Sequence, residues 1–285
     1  MTAWTKDTKI LIVGLGLMGG SYARALKTRG FHITAIARRQ ETVDFALEHG
    51  VIDEGYIEVD EAVVSGADAV IFAVYPGLLV EWIKQYQHLF KSGAFLTDVT
   101  GVKSCNVYEI QSILRDDVEF VAAHPMAGKE TSGVESSDEK IFAKANYIVV
   151  PTEKNTAQGI ALCRELGELL GVRKISELSP EEHDEMIGFV SQLTHCIAVC
   201  LMTCKDNEHL VDYTGDSFHD LTRIARINDQ MWSELFMLNR PALLAQMDLF
   251  MDEFKDLRDM LAKGDVEGMR GKMRLSTKRR ELFNR

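Results

Sequence analysis

Three glycines near the N-terminus constrain the fold more than any other feature of this chain. They form the pattern Gly14-x-Gly16-x-x-Gly19 directly after a short apolar run, Lys9 to Val13, and before an Ala- and Leu-rich stretch. In such a pattern the first glycine permits a tight turn, the second lets backbone approach a pyrophosphate, and the third allows close helix packing. With a second apolar strand at Phe31 to Ala37, the pattern predicts a dinucleotide-binding turn. A glycine-rich turn that has lost its ligand would give the same pattern.

The end of the second predicted strand bears on which cofactor is bound. NAD usually meets an acidic residue about 20 residues beyond the glycines. Here Arg38 and Arg39 follow the strand and no acid is available. Two arginines can bind a 2′-phosphate with charge-assisted hydrogen bonds, so we favour NADP, with NAD possible. The residues that we expect to contact the cofactor are Gly14, Gly16, Leu17, Met18, Gly19, Arg38, Arg39, Val74, Tyr75 and Thr100.

Alternating helix and strand patterns continue to about residue 176. They predict an α/β fold, with a doubly wound, mainly parallel sheet that has helices on both faces. We expect its later strands at Val118 to Ala123, ended by Pro125, and at Tyr147 to Val150. From Ser179 onward helical periodicity dominates, beginning with the start signature Ser179-Pro-Glu-Glu182. We therefore expect a dinucleotide-binding domain at 1–176 and an all-helical domain at 177–285.

Composition argues against several classes of protein. With 32 basic and 43 acidic residues, the 285-residue chain carries a formal charge of −11, which disfavours a general nucleic-acid or anionic-membrane binder. The N-terminus has no apolar signal segment, and no stretch approaches 18 uninterrupted apolar residues. We therefore expect a cytoplasmic protein with neither nucleic acid nor a membrane as partner.

The five cysteines lack paired spacing, which fits reduced thiols. Cys196, Cys200 and Cys204 recur every four residues and would share one face of a helix. A metal site is conceivable there, but cysteine is among the most buried residue types, so we expect core packing and no metal.

His124 is the strongest candidate for catalysis. It follows the apolar run 118–123, which places it beyond the carboxyl end of a strand, where sheets of this class bind ligands. A histidine at a strand end is also often a hydrogen-bonded structural residue, and the cofactor crevice favours the functional alternative.

The helical half adds further candidates. Ser191 and His195 are four residues apart and project from one helix face, which Gln192 borders. Arg223 lies in an otherwise apolar helix, so it is either part of an internal salt bridge or an anion site for substrate. His183-Asp184 is either functional or a capping or surface pair.

Taken together, these motifs resemble the prephenate/arogenate (cyclohexadienyl) dehydrogenase family along nearly the whole chain. The most specific parts are the glycine pattern, His124-Pro-Met-Ala-Gly-Lys-Glu130-Thr-Ser-Gly133, Glu182-His-Asp184, Ser191-Gln-Leu-Thr-His195, and Asp220-Leu-Thr-Arg223-Ile-Ala followed by Trp232. The resemblance implies oxidative decarboxylation of prephenate to 4-hydroxyphenylpyruvate, or of arogenate to tyrosine, with hydride transfer to the nicotinamide. It also implies a homodimer formed through the helical domain.

The resemblance assigns roles to individual residues. His124 matches the base that takes the substrate hydroxyl proton, a task for which neutral imidazole is suited. Arg223 matches the arginine that holds a substrate carboxylate, and His195 lines the same pocket. Glu130, at the pocket mouth, and Ser191 and Gln192 complete the expected substrate contacts.

One position departs from the family pattern. Gly101 stands where some members have a serine that contacts cofactor and substrate, and we expect Thr100 to take over that role. The chain also ends after the helical region, so we expect any feedback by tyrosine to act at the active site.

Two other functions remain open on the residues. A 3-hydroxyacid-type dehydrogenase also joins a dinucleotide domain to a helical one, but it needs a catalytic lysine, for which Lys205 is the only nearby candidate. A non-catalytic NADP-sensing dimer would bind the cofactor without turnover.

Overall fold

The computed structural model describes residues 1–129, 131–206 and 208–284. Within these ranges the first 177 residues form two sheets with flanking helices. The nine strands are β1 Lys9–Val13, β2 His32–Ile36, β3 Glu54–Tyr56, β4 Ala69–Phe72, β5 Phe95–Asp98, β6 Glu119–Phe120, β7 Ala122–Pro125, β8 Asn146–Val150 and β9 Lys174–Glu177. The helices between them are α1 Leu17–Thr28, α2 Gln40–Glu48, α3 Glu61–Gly66, α4 Pro76–Tyr86, α5 Ser104–Ile113 and α6 Ala157–Leu170.

The larger sheet has the strand order β3-β2-β1-β4-β5-β6, and every neighbouring pair is parallel. The chain builds outward from β1 in one direction and then restarts at β4 in the other. A crevice therefore opens beyond the carboxyl ends of β1 and β4, where such sheets bind ligands. This confirms the predicted doubly wound parallel sheet.

Side chains of the central strand alternate between two apolar cores. Ile10 and Ile12 pack with buried residues of α1, α2 and α6, whereas Leu11 and Val13 pack with those of α3, α4 and α5. Helices therefore cover both faces of the sheet, which explains why its strands read as continuous apolar runs.

The predicted strand at 118–123 is wrong in one respect, because the structure divides it. β6 ends the parallel sheet at Phe120, and β7 begins a second, three-stranded sheet of order β7-β8-β9. β7 pairs antiparallel with β8, so the strand at 147–150 does not continue the parallel sheet. Parallel pairing needs a long crossover, usually a helix, and only short 3₁₀ turns lie between β7 and β8 in the described residues.

Pro125 ends the strand, as predicted. It is the last residue of β7 and lies opposite Tyr147. Because β7 is an edge strand, a residue without an N–H donor is tolerated there. His124 is the third residue of β7, so residues of the same strand precede and follow it.

The second part of the described chain is helical, as predicted. It contains α7 Pro180–Ile187, a π-helical segment Gly188–Leu193, α8 Thr194–Thr203, α9 Asp216–Thr222, α10 Asp229–Leu238, α11 Arg240–Lys263 and α12 Val266–Glu281. The capping box at Ser179 and Glu182 is present. The helix in which Arg223 was expected ends before it, since α9 gives way to a 3₁₀ turn at Arg223–Ala225.

One continuous helical stretch in the described residues, Pro180–Thr203, is long and apolar enough to cross a membrane by length and composition alone. Only 28% of its most apolar window is buried within the single chain. The core helix of a globular protein meets the same criterion, so this finding is weak evidence for a membrane protein.

The glycine turn yields a test of the fold. A Cβ on Gly19 would lie 2.0 Å from the carbonyl oxygen of Gly14, whereas a Cβ on Gly16 would meet nothing within 4 Å. We therefore expect Gly19→Ala to lower the free energy of unfolding by about 1–3 kcal/mol. Gly16→Ala, the matched control, should change it by less than about 0.5 kcal/mol. Chemical denaturation of both variants measures this, and equal stabilities would contradict the packing role of Gly19.

Candidate active site

The glycine turn has the geometry of an anion-binding site. Gly14 has a φ of +95°, which favours glycine, and a Cβ there would collide with the carbonyl of Ala73. The side of Gly16 that a Cβ would occupy is open. α1 begins directly after Gly16, with no side-chain cap and no acid in its first turn, which leaves its terminal amides able to bind phosphate. Leu17 and Met18, in that first turn, are half-buried.

The other predicted cofactor contacts surround this turn. Arg38 and Arg39 follow the carboxyl end of β2, and both are exposed. Among the described residues neither guanidinium makes a hydrogen bond or an ion pair. Val74 touches the position where a Gly14 Cβ would lie, and Tyr75 caps α4 and is 40% exposed.

A buried ion pair anchors the centre of the site. The Nζ atom of Lys103 lies 2.6 Å from Oδ2 of Asp98, and both side chains are at most 2% exposed. The two groups also bind the peptide groups of one residue, because Oδ1 of Asp98 accepts from the amide of Ala123 at 3.1 Å and Nζ of Lys103 donates to its carbonyl at 2.6 Å. This fixes the backbone immediately before His124.

Behind His124 lies a chain of hydrogen-bonded side chains. Nδ1 of His124 is 2.9 Å from Nε2 of His183, and Nδ1 of His183 is 2.8 Å from Oδ1 of Asp184. Oδ1 of Asp184 also accepts from the amide of Lys103 at 2.9 Å, and Oδ2 accepts from the amide of Ser104 at 2.8 Å. His183 and Asp184 are both buried, so they are not a surface pair, and Asp184 caps α5 rather than its own helix.

Burial sets the protonation of these groups. It lowers the pKa of His124 well below its usual 6.5, and repulsion from His183 and Lys103 acts in the same direction. Burial also lowers the pKa of His183, against the opposing effect of Asp184. For Asp184 burial acts to raise the pKa, but hydrogen bonds from His183 and Ser104 outweigh it and lower the pKa. At neutral pH both imidazoles are therefore neutral and Asp184 is a carboxylate.

The opposite edge of His124 faces Gly101. A Cβ on Gly101 would lie 3.8 Å from both Cε1 and Nε2 of His124 and 3.7 Å from Cδ2 of Leu235. These are ordinary contacts, so a serine would be accommodated here, and the glycine leaves that volume open beside Nε2.

Thr100 has a different role from the one expected. Its side chain is buried, its amide and its hydroxyl are both hydrogen-bonded to Oδ2 of Asp98, and the hydroxyl also lies 3.0 Å from the carbonyl of Val102. The hydroxyl is therefore committed to the buried cluster, and the expectation that Thr100 takes over the role of a serine at 101 is wrong.

Helix α10 forms a wall of the site that the sequence interpretation did not identify. Besides Leu235, whose side chain approaches Gly101, Glu234 accepts from the amide of Gly77 at 3.0 Å. Trp232 packs on His195 with ring centroids 3.8 Å apart. A period of three to four residues along this amphipathic segment was the signal available in the sequence.

The predicted substrate contacts on the long helix are divided by the π-helical segment. Ser191 and Gln192 both lie in it, whereas His195 lies in the following α-helix, so the simple four-residue spacing does not hold. Gln192 is buried, and its amide donates to the carbonyl of Leu235 and accepts from Asn239. Ser191 is half-exposed. Glu130 lies outside the described residues.

His195 and Arg223 are neighbours through the backbone. Nδ1 of His195 lies 3.0 Å from the carbonyl of Ile224, so Nδ1 carries the proton and donates. Arg223 precedes Ile224 and is exposed in the single chain, so the expectation of a buried arginine is wrong. It lies in the 3₁₀ turn that follows α9, and neither segment buries a residue in the single chain.

The cysteines also differ from expectation. Cys196 is half-buried, but Cys200 and Cys204 are exposed, so they are not core residues of the single chain. The described part of the chain holds no group of three or more His, Cys, Asp or Glu side chains arranged to bind a metal ion.

The sheet, the glycine turn and the histidine beside the crevice define a class: an oxidoreductase fold that binds a nicotinamide dinucleotide. Residues 22–176 match the family described as prephenate dehydrogenase, nucleotide-binding domain, and residues 179–275 match its dimerization domain. The chain belongs to the prephenate dehydrogenase family.

Individual relatives agree with this assignment. The chain is 30% identical to prephenate dehydrogenase of Bacillus subtilis over 275 residues, which cover 93% of this chain and 72% of the relative. It is 30% identical to cyclohexadienyl dehydrogenase of Zymomonas mobilis over 264 residues, covering 90% and 89%. The crystal structure of prephenate dehydrogenase from Aquifex aeolicus with hydroxyphenyl propionate and NAD+ superposes with a TM-score of 0.88 at 30% identity, covering 98% and 99%.

The buried ion pair yields a second prediction. Lys103→Met should lower the free energy of unfolding by about 3–5 kcal/mol, because it leaves Asp98 buried without its cation. The matched control is Arg164→Met, which removes the exposed ion pair with Glu177 and should cost less than about 1 kcal/mol. Urea denaturation compares the two, and a Lys103→Met loss no larger than that of the control would contradict the anchoring role.

Proposed function

We propose that the protein oxidatively decarboxylates prephenate, arogenate or both, with hydride transfer to a nicotinamide cofactor, as a step towards tyrosine. The observation that carries this proposal is a neutral His124 beside the dinucleotide crevice, with its Nε2 edge facing the open volume at Gly101. Membership of the family supports the substrate class, since relatives are named prephenate, cyclohexadienyl and arogenate dehydrogenases.

His124 acts as the base in this proposal. Its Nε2 takes the proton of the substrate hydroxyl while hydride leaves the hydroxyl-bearing carbon. The bond from the ring to its carboxylate then breaks, the electron pair enters the ring, and carbon dioxide departs. A pKa that burial holds low keeps this imidazole neutral and ready to accept a proton at working pH.

Arg223 and His195 form the substrate side of the site. Arg223 binds a substrate carboxylate and thereby orients the ring. His195, held by Ile224 and Trp232, lines the same pocket. We retain Ser191, Gln192 and Glu130 as proposed substrate contacts, although both ends of the Gln192 amide are already engaged.

The cofactor fits the turn at 14–19. When bound, the dinucleotide supplies the hydride acceptor. Open space at Gly16 and the uncapped start of α1 suit its pyrophosphate. We propose NADP as the preferred form, because Arg38 and Arg39 lie exposed beyond β2 and make no hydrogen bond or ion pair among the described residues. NAD remains the alternative that the Aquifex aeolicus complex illustrates for that relative.

We also propose a homodimer built through residues 177–285, with 1–176 as the dinucleotide-binding domain. Of α11 only Leu243 and Gln246 are buried, and α12 buries no described side chain. Large apolar side chains are exposed along α9 to α12, including Leu221, Met237, Leu249, Phe254 and Leu261. An apolar surface of this extent needs a covering partner. A cytoplasmic location without nucleic-acid or membrane partners is part of the same proposal.

The role of His124 gives the most direct test of function. With prephenate and NADP, and with arogenate in parallel, we expect reduced cofactor to form, and His124→Asn to lower kcat by at least about a hundredfold with little change in KM. The acid limb of kcat/KM should lie below pH 6.5, because the depressed pKa keeps His124 neutral until the pH falls through it. A variant with near-normal kcat would refute the assignment, and cofactor binding without turnover would favour the sensing dimer.

Cofactor preference has its own test. Replacing Arg38 and Arg39 together by alanine should raise KM for NADP by about tenfold or more, because a charged hydrogen bond contributes about 1.5–3 kcal/mol, while KM for NAD changes little. Steady-state kinetics with each cofactor decides this. A wild-type protein that prefers NAD in kcat/KM would contradict the NADP proposal.

The homodimer predicts a solution mass of twice 32.0 kDa. Light scattering measures it directly, and a monomeric mass would refute the proposal. Phe254→Glu, at an exposed position of α11, should weaken association, whereas the control Glu48→Lys, at an exposed position of α2, should not.

A further inference from the structure

The two histidines and Asp184 permit a deduction about which nitrogen of His124 reacts. Oδ1 of Asp184 lies 2.8 Å from Nδ1 of His183, so a proton must lie between these atoms. Both carboxylate oxygens already accept backbone amides, from Lys103 and Ser104. Since an ionised carboxylate has no proton to give, the proton belongs to Nδ1 of His183.

A neutral His183 that is protonated on Nδ1 has a lone pair on Nε2. That atom lies 2.9 Å from Nδ1 of His124, so His183 accepts and His124 donates. His124 therefore carries its own proton on Nδ1 and its lone pair on Nε2. The Nε2 atom is the one that faces the open volume at Gly101.

We propose that His183 and Asp184 are positioning residues that fix the tautomer and orientation of His124, so that Nε2 takes the substrate proton. This inference rests on the proposed role of His124 as the base. Without an acceptor behind it, the His124 ring could place its proton on Nε2, where it would block the reaction. A carboxylate behind an imidazole acts in this way in hydrolytic triads, and here a second imidazole is inserted between them.

When Nε2 takes a proton, His124 becomes a cation in a buried site beside Lys103. The hydrogen bond from its Nδ1 to His183 then strengthens, and His183 in turn donates more strongly to the Asp184 carboxylate. The carboxylate of Asp184 thus stabilises the cation of His124 through His183, from the side of the ring that faces away from the substrate. No proton needs to pass along the chain for this stabilisation to act.

Two substitutions of His183 separate positioning from packing. His183→Phe keeps the ring volume but removes the acceptor, whereas His183→Gln retains an oxygen where Nε2 lies. We expect His183→Phe to lower kcat by roughly a hundredfold or more while KM for substrate and the Kd for cofactor change less than about threefold. His183→Gln should restore kcat to within about tenfold of wild type. The control is His88→Phe, at an exposed position distant in sequence from His183. Its kcat and KM should match those of the wild type.

A direct measurement avoids dependence on activity. Nitrogen-15 NMR of the free full-length protein at pH 7.5, with the His124 signals assigned by their loss in His124→Asn, should show Nδ1 protonated and Nε2 unprotonated. A signal for protonated Nε2 would overturn the proposal, as would normal kcat in His183→Phe. Equal losses in His183→Phe and His183→Gln would also overturn it, because the acceptor is retained in the second variant. Failure of the proposed function would give a different result. His124→Asn would then have a normal kcat, while His124 in the wild-type protein would still be protonated on Nδ1.

Discussion

The buried pair of Asp98 and Lys103 is the interaction on which the site depends. It lies at the carboxyl end of β5 and binds both the N–H and the C=O of Ala123, which belongs to the other sheet. A buried ion pair is tolerated when its remaining donors and acceptors are satisfied, and here the peptide of Ala123 and Thr100 satisfy them. Charge-assisted hydrogen bonds from Asp98 and Lys103 therefore join the two sheets directly beside His124.

Asp184 extends this arrangement into the helical part of the chain. Its carboxylate accepts the amides of Lys103 and Ser104 at the start of α5, a position where the helix dipole favours a negative charge. Its own backbone carbonyl accepts from Asn239, which also binds Gln192. Through Asn239, Asp184 thus connects the start of α5 with the π-helical segment and the start of α11.

The sequence predicted the features that depend on local pattern. These features are the glycine spacing, the alternation of strands and helices, and the capping signal at Ser179. Each depends on contacts within a few residues, so the local sequence determines the structure that forms. The second sheet was not predicted, because the run 118–123 is apolar apart from Glu119 and nothing in it marks where the chain changes from one sheet to the other. The exposure of Arg223 and Cys200 was missed because an apolar neighbourhood in sequence can face a second protein copy as readily as a core.

His183-Asp184 illustrates the same limit at the site itself. The sequence of the pair fits two roles equally well. A cap on the surface and a buried relay both place a histidine beside an acid in the first turns of a helix. Only the long-range contact with His124, 59 residues away, distinguishes them. That contact depends on the β7 strand and on the clamp at Ala123, neither of which has a signature of its own.

The relay is compatible with a glycine at position 101. A serine beside Nε2 is one way to orient an imidazole from its reactive side, and the space for it exists here. A histidine ring that is already fixed from behind through Nδ1 does not need a second hydrogen bond in front. The front can then remain open, which leaves the lone pair of Nε2 for the substrate hydroxyl alone and removes a competing donor from the point of proton transfer. In this chain the orientation of His124 is supplied from within the protein, through Nδ1, and the reacting edge is left to the substrate.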